Sequence, residues 1–367
     1  MSTLSSLVRR YDQSGMLRYI LSTPYEVREY LNKYDSSLPE RIRTEKGIAY
    51  LSDVDKALFL GMGGSAIGGD IVLNYLYDKL RMPLITIRNF KIPGFVDNKT
   101  LVVSVSYSGN TDETISATLE ALKRGAYTVI LTSNGLLESV AKRKRLPLYS
   151  LPKGRPPRAA IAPMLAALLK VCEGAGISEV NYGDIYEAVD YLQSIAENYR
   201  KLSEELLPYR LAKSLIAGIP LIYSYAPFSS IGFRFKTQLN ENSKIHAFYA
   251  ELPEADHNEI MGWEGELRGN YVAVMLRGAT EPEEIRTRIE FWKNLLKELK
   301  VDNWEVRARG PNLFGEMLYL LLTVDMTSYL AALLRGIDPT PVNIISSLKE
   351  FTEDKLSFKK KVQKLMG

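Results

Sequence analysis

The sequence predicts an α/β protein with two doubly wound parallel-sheet domains and flanking helices. Short apolar runs alternate with amphipathic segments, which is typical of strands in a parallel sheet that helices cover on both faces. A strand, a polar loop and a helix follow one another at residues 56–66 and again at 219–231, without visible repetition of residue identity. The length, 367 residues, exceeds one ordinary hydrophobic core.

The first domain is predicted from five apolar strands in the order of the chain. These strands lie at residues 56–60, 83–87, 100–106, 126–132 and 147–151. Helical segments lie between most of them, and an apolar helix ending near residue 174 closes the domain. Alternation of this kind predicts a parallel sheet.

The second domain is predicted from a similar series. Its strands are expected at residues 219–225, 246–252, 271–278 and 304–310, and a long apolar helix is expected at 313–335. We divide the whole chain into five parts. Residues 1–50 are a helical lead-in, 51–176 the first domain, 177–210 an interdomain helix, 211–337 the second domain, and 338–367 a C-terminal segment that completes the site.

Composition and charge exclude several classes of function. The 47 basic and 43 acidic residues are nearly balanced, and no basic run is interleaved with aromatic residues, so nucleic acid is not an expected partner. Cys172 is the only cysteine and is expected in the core, and the histidines are His246 and His257. This content excludes a disulfide framework and argues against a metal centre.

The N-terminus lacks the apolar segment of a signal peptide. No run of about 18 apolar residues suggests a membrane span. We therefore expect a cytoplasmic protein with no membrane partner.

Gly61, Gly63 and Ala66 satisfy the dinucleotide pattern G-x-G-x-x-A between a strand and a helix. That interpretation expects an acidic residue at the end of the second strand, whereas Arg88 and Asn89 stand there. An arginine such as Arg88 can pair with a 2′-phosphate. The hypothesis that the protein binds NADP is therefore less favoured but remains an alternative. The alternative is that the glycines only permit a tight turn.

The segment SYSGNT (106–111) follows the third strand and precedes an amphipathic helix. Ser106, Ser108 and Thr111 supply hydroxyl donors where a helix N-terminus attracts anions. Capping by Thr111 or Asn110 explains only one of these polar residues. The hydroxyls that capping does not explain favour a phosphate site. The P-loop sequence of nucleotide-binding proteins does not occur.

The combination of GMGGSAIGGD (61–70) and SYSGNT resembles the phosphosugar-binding sugar isomerase (SIS) domains, whose fold is flavodoxin-like. Further segments extend the resemblance to the bifunctional phosphoglucose/phosphomannose isomerases of the phosphoglucose isomerase superfamily: KGRPPRAAIAP (153–163), LNENSK (239–244), PEADHNEIMGW (253–263) and DPTPVNIISSLK (338–349). The resemblance covers roughly residues 55–350. It implies metal-independent interconversion of hexose 6-phosphates through a cis-enediol, without a cofactor.

The resemblance also implies roles for individual residues. Glu241 matches the catalytic base, and His257 matches a ring-opening histidine that reaches across from the partner subunit of a homodimer. Arg158 matches the arginine that faces the enediolate, whereas Arg155 is expected in solvent.

The same resemblance implies that Thr340 holds water and leaves space for rotation about C2–C3, and that Lys349 assists ring opening. The spacing between these two residues leaves Lys349 open to the alternative of an ordinary helix-face lysine. The phosphosugar loops contribute Gly63, Gly64 and Ser65, together with the hydroxyls of SYSGNT.

Three other functions remain as alternatives. A phosphosugar sensor of the same domain type has no use for Glu241 and His257 together, and residues 1–50 show no basic recognition helix. A sugar aminotransferase needs an ammonia source, for which Cys172 is not suitably placed. An NADP oxidoreductase is the third.

Overall fold

The computed structural model describes residues 3–266 and 269–358. The helices are α1 (Thr3–Tyr11), α2 (Met16–Lys33), α3 (Gly63–Leu76), α4 (Asp112–Arg124), α5 (Gly135–Lys144), α6 (Ile161–Gly174), α7 (Tyr182–Arg200), α8 (Leu207–Leu215), α9 (Ser229–Gln238), α10 (Glu283–Glu298), α11 (Leu313–Leu334) and α12 (Asn343–Leu356).

The strands are β1 (Arg41–Thr44), β2 (Gly47–Tyr50), β3 (Lys56–Leu60), β4 (Leu84–Ile87), β5 (Thr100–Val105), β6 (Tyr127–Thr132), β7 (Leu148–Ser150), β8 (Ile219–Tyr225), β9 (Phe248–Leu252), β10 (Tyr271–Arg277) and β11 (Asp302–Arg307). Each strand predicted for the two domains has a counterpart among them.

The chain divides into two compact units. One comprises Met1–Tyr25 and Asn181–Pro341, and the other comprises Glu26–Val180 and Val342–Gly367. We call them the 181–341 unit and the 26–180 unit. Each contains one parallel sheet, so the predicted fold class, α/β with two doubly wound sheets, is confirmed.

In the 26–180 unit the strand order is β4-β3-β5-β6-β7, and all four pairings are parallel. Every residue of β5 and β6 is buried, as expected for central strands covered on both faces. Because the order reverses between β3 and β5, their carboxyl ends flank the crevice where doubly wound sheets bind ligands. The segments after these two strands are GMGGS and SYSGNT.

In the 181–341 unit the order is β11-β10-β8-β9, again wholly parallel. It corresponds to the other sheet without the fifth strand, so the predicted repetition of architecture extends to strand order. Helix α11 packs against α7, α8 and α9. By length and composition α11 could cross a membrane, but 94% of its apolar window is buried inside the protein, as in a core helix.

The first fifty residues are not the wholly helical lead-in that the sequence predicts. After α1 and α2, residues 41–50 form an antiparallel hairpin, β1–β2. The hydroxyl of Thr44 closes its turn, accepting from the Lys46 N–H (3.2 Å) and donating to the Gly47 carbonyl (3.0 Å). β-branched residues at 42, 44 and 48 favour the strand conformation.

The unit boundaries also lie elsewhere than the predicted domain boundaries. Helix α2 begins in the 181–341 unit and ends in the 26–180 unit. Helix α7, within the predicted interdomain segment, belongs to the 181–341 unit and packs on α11.

Candidate active site

The two polar loops of the 26–180 unit meet at the reversal point of its sheet. Ser65, in the first turn of α3, accepts a hydrogen bond on Oγ from the backbone N–H of Tyr107 (3.2 Å). Ser65 is 6% exposed. The structure therefore brings together the two segments that the sequence singles out, at the N-termini of two neighbouring helices, where free N–H groups favour anions.

The hydroxyls of SYSGNT are not used as helix caps. Thr111 stands at the N-cap position of α4, yet its side chain makes no capping bond. Its Oγ1 lies 2.9 Å from Oγ of Ser106 instead. Ser108 accepts from the backbone N–H of Asn110 (3.3 Å), and the Asn110 amide oxygen accepts from Leu136 N–H (3.1 Å). Asn110 therefore satisfies an N–H in the first turn of α5, whereas capping does not account for the hydroxyls of this segment.

Arg158 lies against the first turn of α3. It is 2% exposed and sits in a short helical turn, Pro157–Ala160. A Cβ on Gly64 would stand 3.1 Å from both Cα and N of Arg158. Gly64 therefore permits an approach that any side chain would hinder, and it places the backbone of Arg158 next to the turn that carries Ser65.

Arg155 is not in solvent, so that expectation is wrong. Its Nη1 donates to the Glu26 carboxylate (2.6 Å), and the side chains are 11% and 13% exposed. Its backbone N–H donates to the Tyr107 hydroxyl (3.1 Å), which in turn donates to the Pro152 carbonyl (2.8 Å). The Tyr107 phenol thereby fixes the segment that leads to Arg158.

Glu241 occupies a π-helical turn, Leu239–Ser243, that continues α9 in the 181–341 unit. Single π turns inside helices are frequent at functional sites. Lys244 follows in a left-handed conformation (φ 55°), and its ammonium donates to the carbonyl of Glu241 (2.5 Å). The side chain of Glu241 is partly exposed.

Thr340 is tied to the same turn through Lys244. The Lys244 ammonium also donates to the carbonyls of Pro339 (3.4 Å) and Pro341 (2.8 Å), which flank Thr340. The Thr340 N–H donates to the Asp338 carboxylate (2.9 Å). Lys244 thus connects the backbone at Glu241 with the backbone around Thr340, two predicted site residues that are distant in the sequence.

His257 is exposed, in a short helical turn (Glu254–His257) after β9. The preceding Asp256 anchors this turn, since its carboxylate accepts from Trp292 Nε1 (2.6 Å) and pairs with Arg288 Nε (3.1 Å). The imidazole therefore projects from a fixed loop. His257 and Glu241 lie on separate elements of the unit.

Lys349 lies on α12, where it is exposed. Helix α12 contains no buried residue and belongs to the 26–180 unit. The position is that of an ordinary helix-face lysine, and a role of Lys349 in ring opening stays a prediction.

Comparison with known proteins decides the family. A family model described as the bacterial phospho-glucose isomerase C-terminal SIS domain matches residues 206–351. A bifunctional phosphoglucose/phosphomannose isomerase from Aquifex aeolicus is 33% identical over 295 residues, which are 80% of this chain and 89% of the relative. A protein of the same name from Caldicellulosiruptor bescii is 34% identical over 302 residues, 81% of this chain and 89% of the relative.

The chain belongs to the family of bifunctional phosphoglucose/phosphomannose isomerases. It is a sugar-phosphate isomerase. A related sequence with another name, a D-glucosamine-6-phosphate 4-epimerase from Sulfolobus acidocaldarius, is 32% identical over 232 residues, 63% of this chain and 71% of the relative. A solved structure of a hypothetical protein from Thermus thermophilus has a TM-score of 0.72 at 18% identity, covering 96% of this chain and 93% of that one. It shows the same fold.

In the second sheet the strand order reverses between β8 and β10, and side chains of the protein itself fill this point. The sequence did not predict this feature. The Tyr225 hydroxyl accepts from Gly278 N–H (2.9 Å), and its ring packs edge-on against Phe228 (5.6 Å between centroids). Burial raises the pKa of Tyr225, which keeps its phenol neutral. Arg277, fully buried, pairs there with Glu281 (2.5 Å). At this edge the Arg277 guanidinium is thus held by a carboxylate of the protein itself.

Among the described residues, 3–266 and 269–358, no group of three or more His, Cys, Asp or Glu side chains has metal-binding geometry. Arg88, the candidate for a 2′-phosphate, is hydrogen-bonded to Asp70 on α3. This pairing removes the main support for the NADP interpretation.

Proposed function

We propose that the protein catalyses the reversible isomerisation of glucose 6-phosphate and mannose 6-phosphate to fructose 6-phosphate through a cis-enediol, without a metal. The observation that carries the proposal is its membership of a family of phosphoglucose/phosphomannose isomerases over 80% of the chain. The hydroxyl-lined reversal point of the 26–180 unit supports it, because such a site suits the phosphate common to all three sugars.

The proton transfer is assigned to Glu241. Its carboxylate takes the proton from C2 of the open-chain aldose, the C–H electrons form the C1–C2 double bond of the enediol, and the π electrons of the C1 carbonyl move to O1. The same carboxyl group returns the proton to C1 while the O2 hydroxyl proton passes to O1 and O2 becomes the ketone, so no redox cofactor is consumed. General acid–base catalysis of this kind contributes about 10²–10⁴-fold.

The other residues bind and orient the substrate in this proposal. Ser65, Ser106, Ser108 and Thr111 hold the phosphate, with Gly63 and Gly64 allowing close approach. Arg158 stabilises the enediolate electrostatically. His257 and Lys349 open the ring, and Thr340 leaves room for the rotation about C2–C3 that lets both C2 epimers react.

Nuclear magnetic resonance of the purified protein tests the reaction. Each of the three hexose 6-phosphates is added alone, with and without EDTA, and the appearance of the other two is followed. We expect all three to interconvert and EDTA to have no effect. Binding without turnover would favour a sensor, and epimerisation of glucosamine 6-phosphate without hexose interconversion would favour the epimerase relative.

We propose further that the protein is a homodimer and that His257 acts in the partner's site. Helix α12 supports an interface, because Ile344, Leu348 and Phe351 are 87%, 60% and 62% exposed at helical spacing. Mixing Glu241→Gln and His257→Ala proteins under conditions of subunit exchange should restore activity. Exchange that is demonstrated by mass labelling but restores nothing would mean that each site lies within one chain.

We propose that the protein acts in the cytoplasm, in the interconversion of hexose phosphates that glycolysis and gluconeogenesis share.

A further inference from the structure

The π-helical turn that carries Glu241 is hydrogen-bonded to the core helix α11 through its next two residues. Asn242 Nδ2 donates to Ser328 Oγ (3.0 Å), and Ser243 Oγ donates to the Ser328 carbonyl (2.6 Å). All three residues are 0% exposed. Since water does not compete for buried hydrogen bonds, these contacts determine where the turn lies.

Ser328 is itself oriented by α11. Its hydroxyl donates to the carbonyl of Asp325, one turn earlier (2.8 Å). The proton of that hydroxyl is thereby used, so an oxygen lone pair remains for the amide of Asn242. Replacing Ser328 by alanine would remove this acceptor from the Asn242 amide.

Asp325 holds the helix that leads into the same turn. Its carboxylate accepts from Arg234 at Nε (2.9 Å) and Nη2 (2.6 Å), and from Gln238 Nε2 (2.9 Å). These three residues are 3% exposed or less. Arg234 and Gln238 belong to α9, which runs directly into the turn of Glu241.

We propose that Asp325 and Ser328 are positioning residues for the reaction, which fix the carboxylate of Glu241 through α9 and through Asn242 without touching the substrate. The inference rests on the proposed role of Glu241 as the base. Its physical basis is that a single π turn departs locally from the α-helical hydrogen-bonding pattern, and that its buried hydrogen bonds to α11 oppose rearrangement of the turn. A base displaced by about 1 Å loses roughly 100-fold in rate.

Ser328→Ala is the primary test, because Asp325→Asn would leave the buried Arg234 guanidinium without its counter-charge. Thr327→Val is the matched control. Thr327 is also 0% exposed on α11, but its hydroxyl donates only to the Thr323 carbonyl of the same helix (2.7 Å). We expect Ser328→Ala to lower kcat for glucose 6-phosphate by about 10–100-fold with little change in KM. Thr327→Val should keep kcat despite losing a buried hydroxyl.

Combination with Glu241→Gln separates positioning from a general loss of structure. If Ser328 acts through Glu241, Ser328→Ala should add little to the kcat loss of Glu241→Gln, since the two residues act as one unit. Equal kcat losses in Ser328→Ala and Thr327→Val, multiplicative losses in the double variant, or an unchanged kcat in Ser328→Ala would overturn the inference while leaving the proposed function intact. An active Glu241→Gln variant would overturn both.

Discussion

Ser106 and Thr111 share a hydrogen bond between their hydroxyl oxygens, 2.9 Å apart, across the turn that joins β5 to α4. Such a pair uses one of its two O–H donors internally and leaves the other for a ligand. Either hydroxyl can be the donor of this bond, so the remaining donor belongs to Ser106 or Thr111, at the N-terminus of α4, where helix N–H groups favour anions.

Ser106→Ala and Thr111→Ala should each raise KM for all three hexose 6-phosphates. A hydrogen bond to a charged group contributes about 1.5–3 kcal/mol, so about tenfold or more is expected. The inhibition constant of inorganic phosphate should rise in parallel, because the lost donor faces the phosphate. Ser139→Ala, an exposed hydroxyl on α5, is the control. Unchanged constants in both variants would remove this turn from the phosphate site.

Arg158→Lys keeps a positive charge but loses the planar guanidinium. If the group stabilises the enediolate, kcat should fall by about 10²–10³-fold, as when one donor of a transition-state site is removed. KM should change much less, since the interaction forms mainly in the transition state. Steady-state kinetics with Arg81→Lys as the surface control checks this. A loss confined to KM would reassign Arg158 to ground-state binding.

Gly109→Ala should destabilise the 26–180 unit strongly. The residue has φ 63°, and a Cβ there would lie 1.7 Å from the carbonyl oxygen of Asn134. The left-handed conformation alone costs about 1–2 kcal/mol for a residue with a side chain, and the clash adds to that cost. Thermal unfolding beside Gly94→Ala, whose Cβ would meet nothing within 4 Å, measures the difference. Equal melting temperatures would contradict the turn geometry.

The sheets were predictable because central parallel strands are apolar on both faces. β5 and β6 are buried along their whole length, so their sequences are mostly apolar and β-branched, a pattern that is visible without tertiary information. The hairpin β1–β2 was missed because its strands are only four residues long and largely exposed. Such short strands carry little periodic signal.

In the candidate site, too, some features were predictable from the sequence and others were not. The loops after β3 and β5 were predictable because the ends of neighbouring parallel strands meet. The link from Glu241 to Thr340 was not, since Lys244 makes it through backbone carbonyls that every residue possesses. Likewise nothing in the sequence distinguishes Arg155, which Glu26 holds, from an arginine in solvent.

Cys172 should be inert in the folded protein. It is fully buried on α6, and burial raises the pKa of its thiol well above the usual value. The stability from keeping this thiol protonated is complete below its unfolded pKa of about 8.5 and is lost as pH rises above it. Ellman's reagent at pH 8 should label the thiol only after denaturation. Rapid labelling of the native protein would contradict this burial.

In the proposed mechanism Glu241 is the base of the isomerase. Glu241→Gln keeps the size of the side chain but cannot accept the C2 proton, and Glu284→Gln on α10 is an exposed control. The most direct measurement is turnover of glucose 6-phosphate and mannose 6-phosphate in deuterated water, with deuterium incorporation at C2 followed alongside. We predict that kcat and incorporation fall together by about 10²–10⁴-fold for both sugars, with little change in their affinity. Turnover of either sugar within about tenfold of the unsubstituted protein would contradict the account.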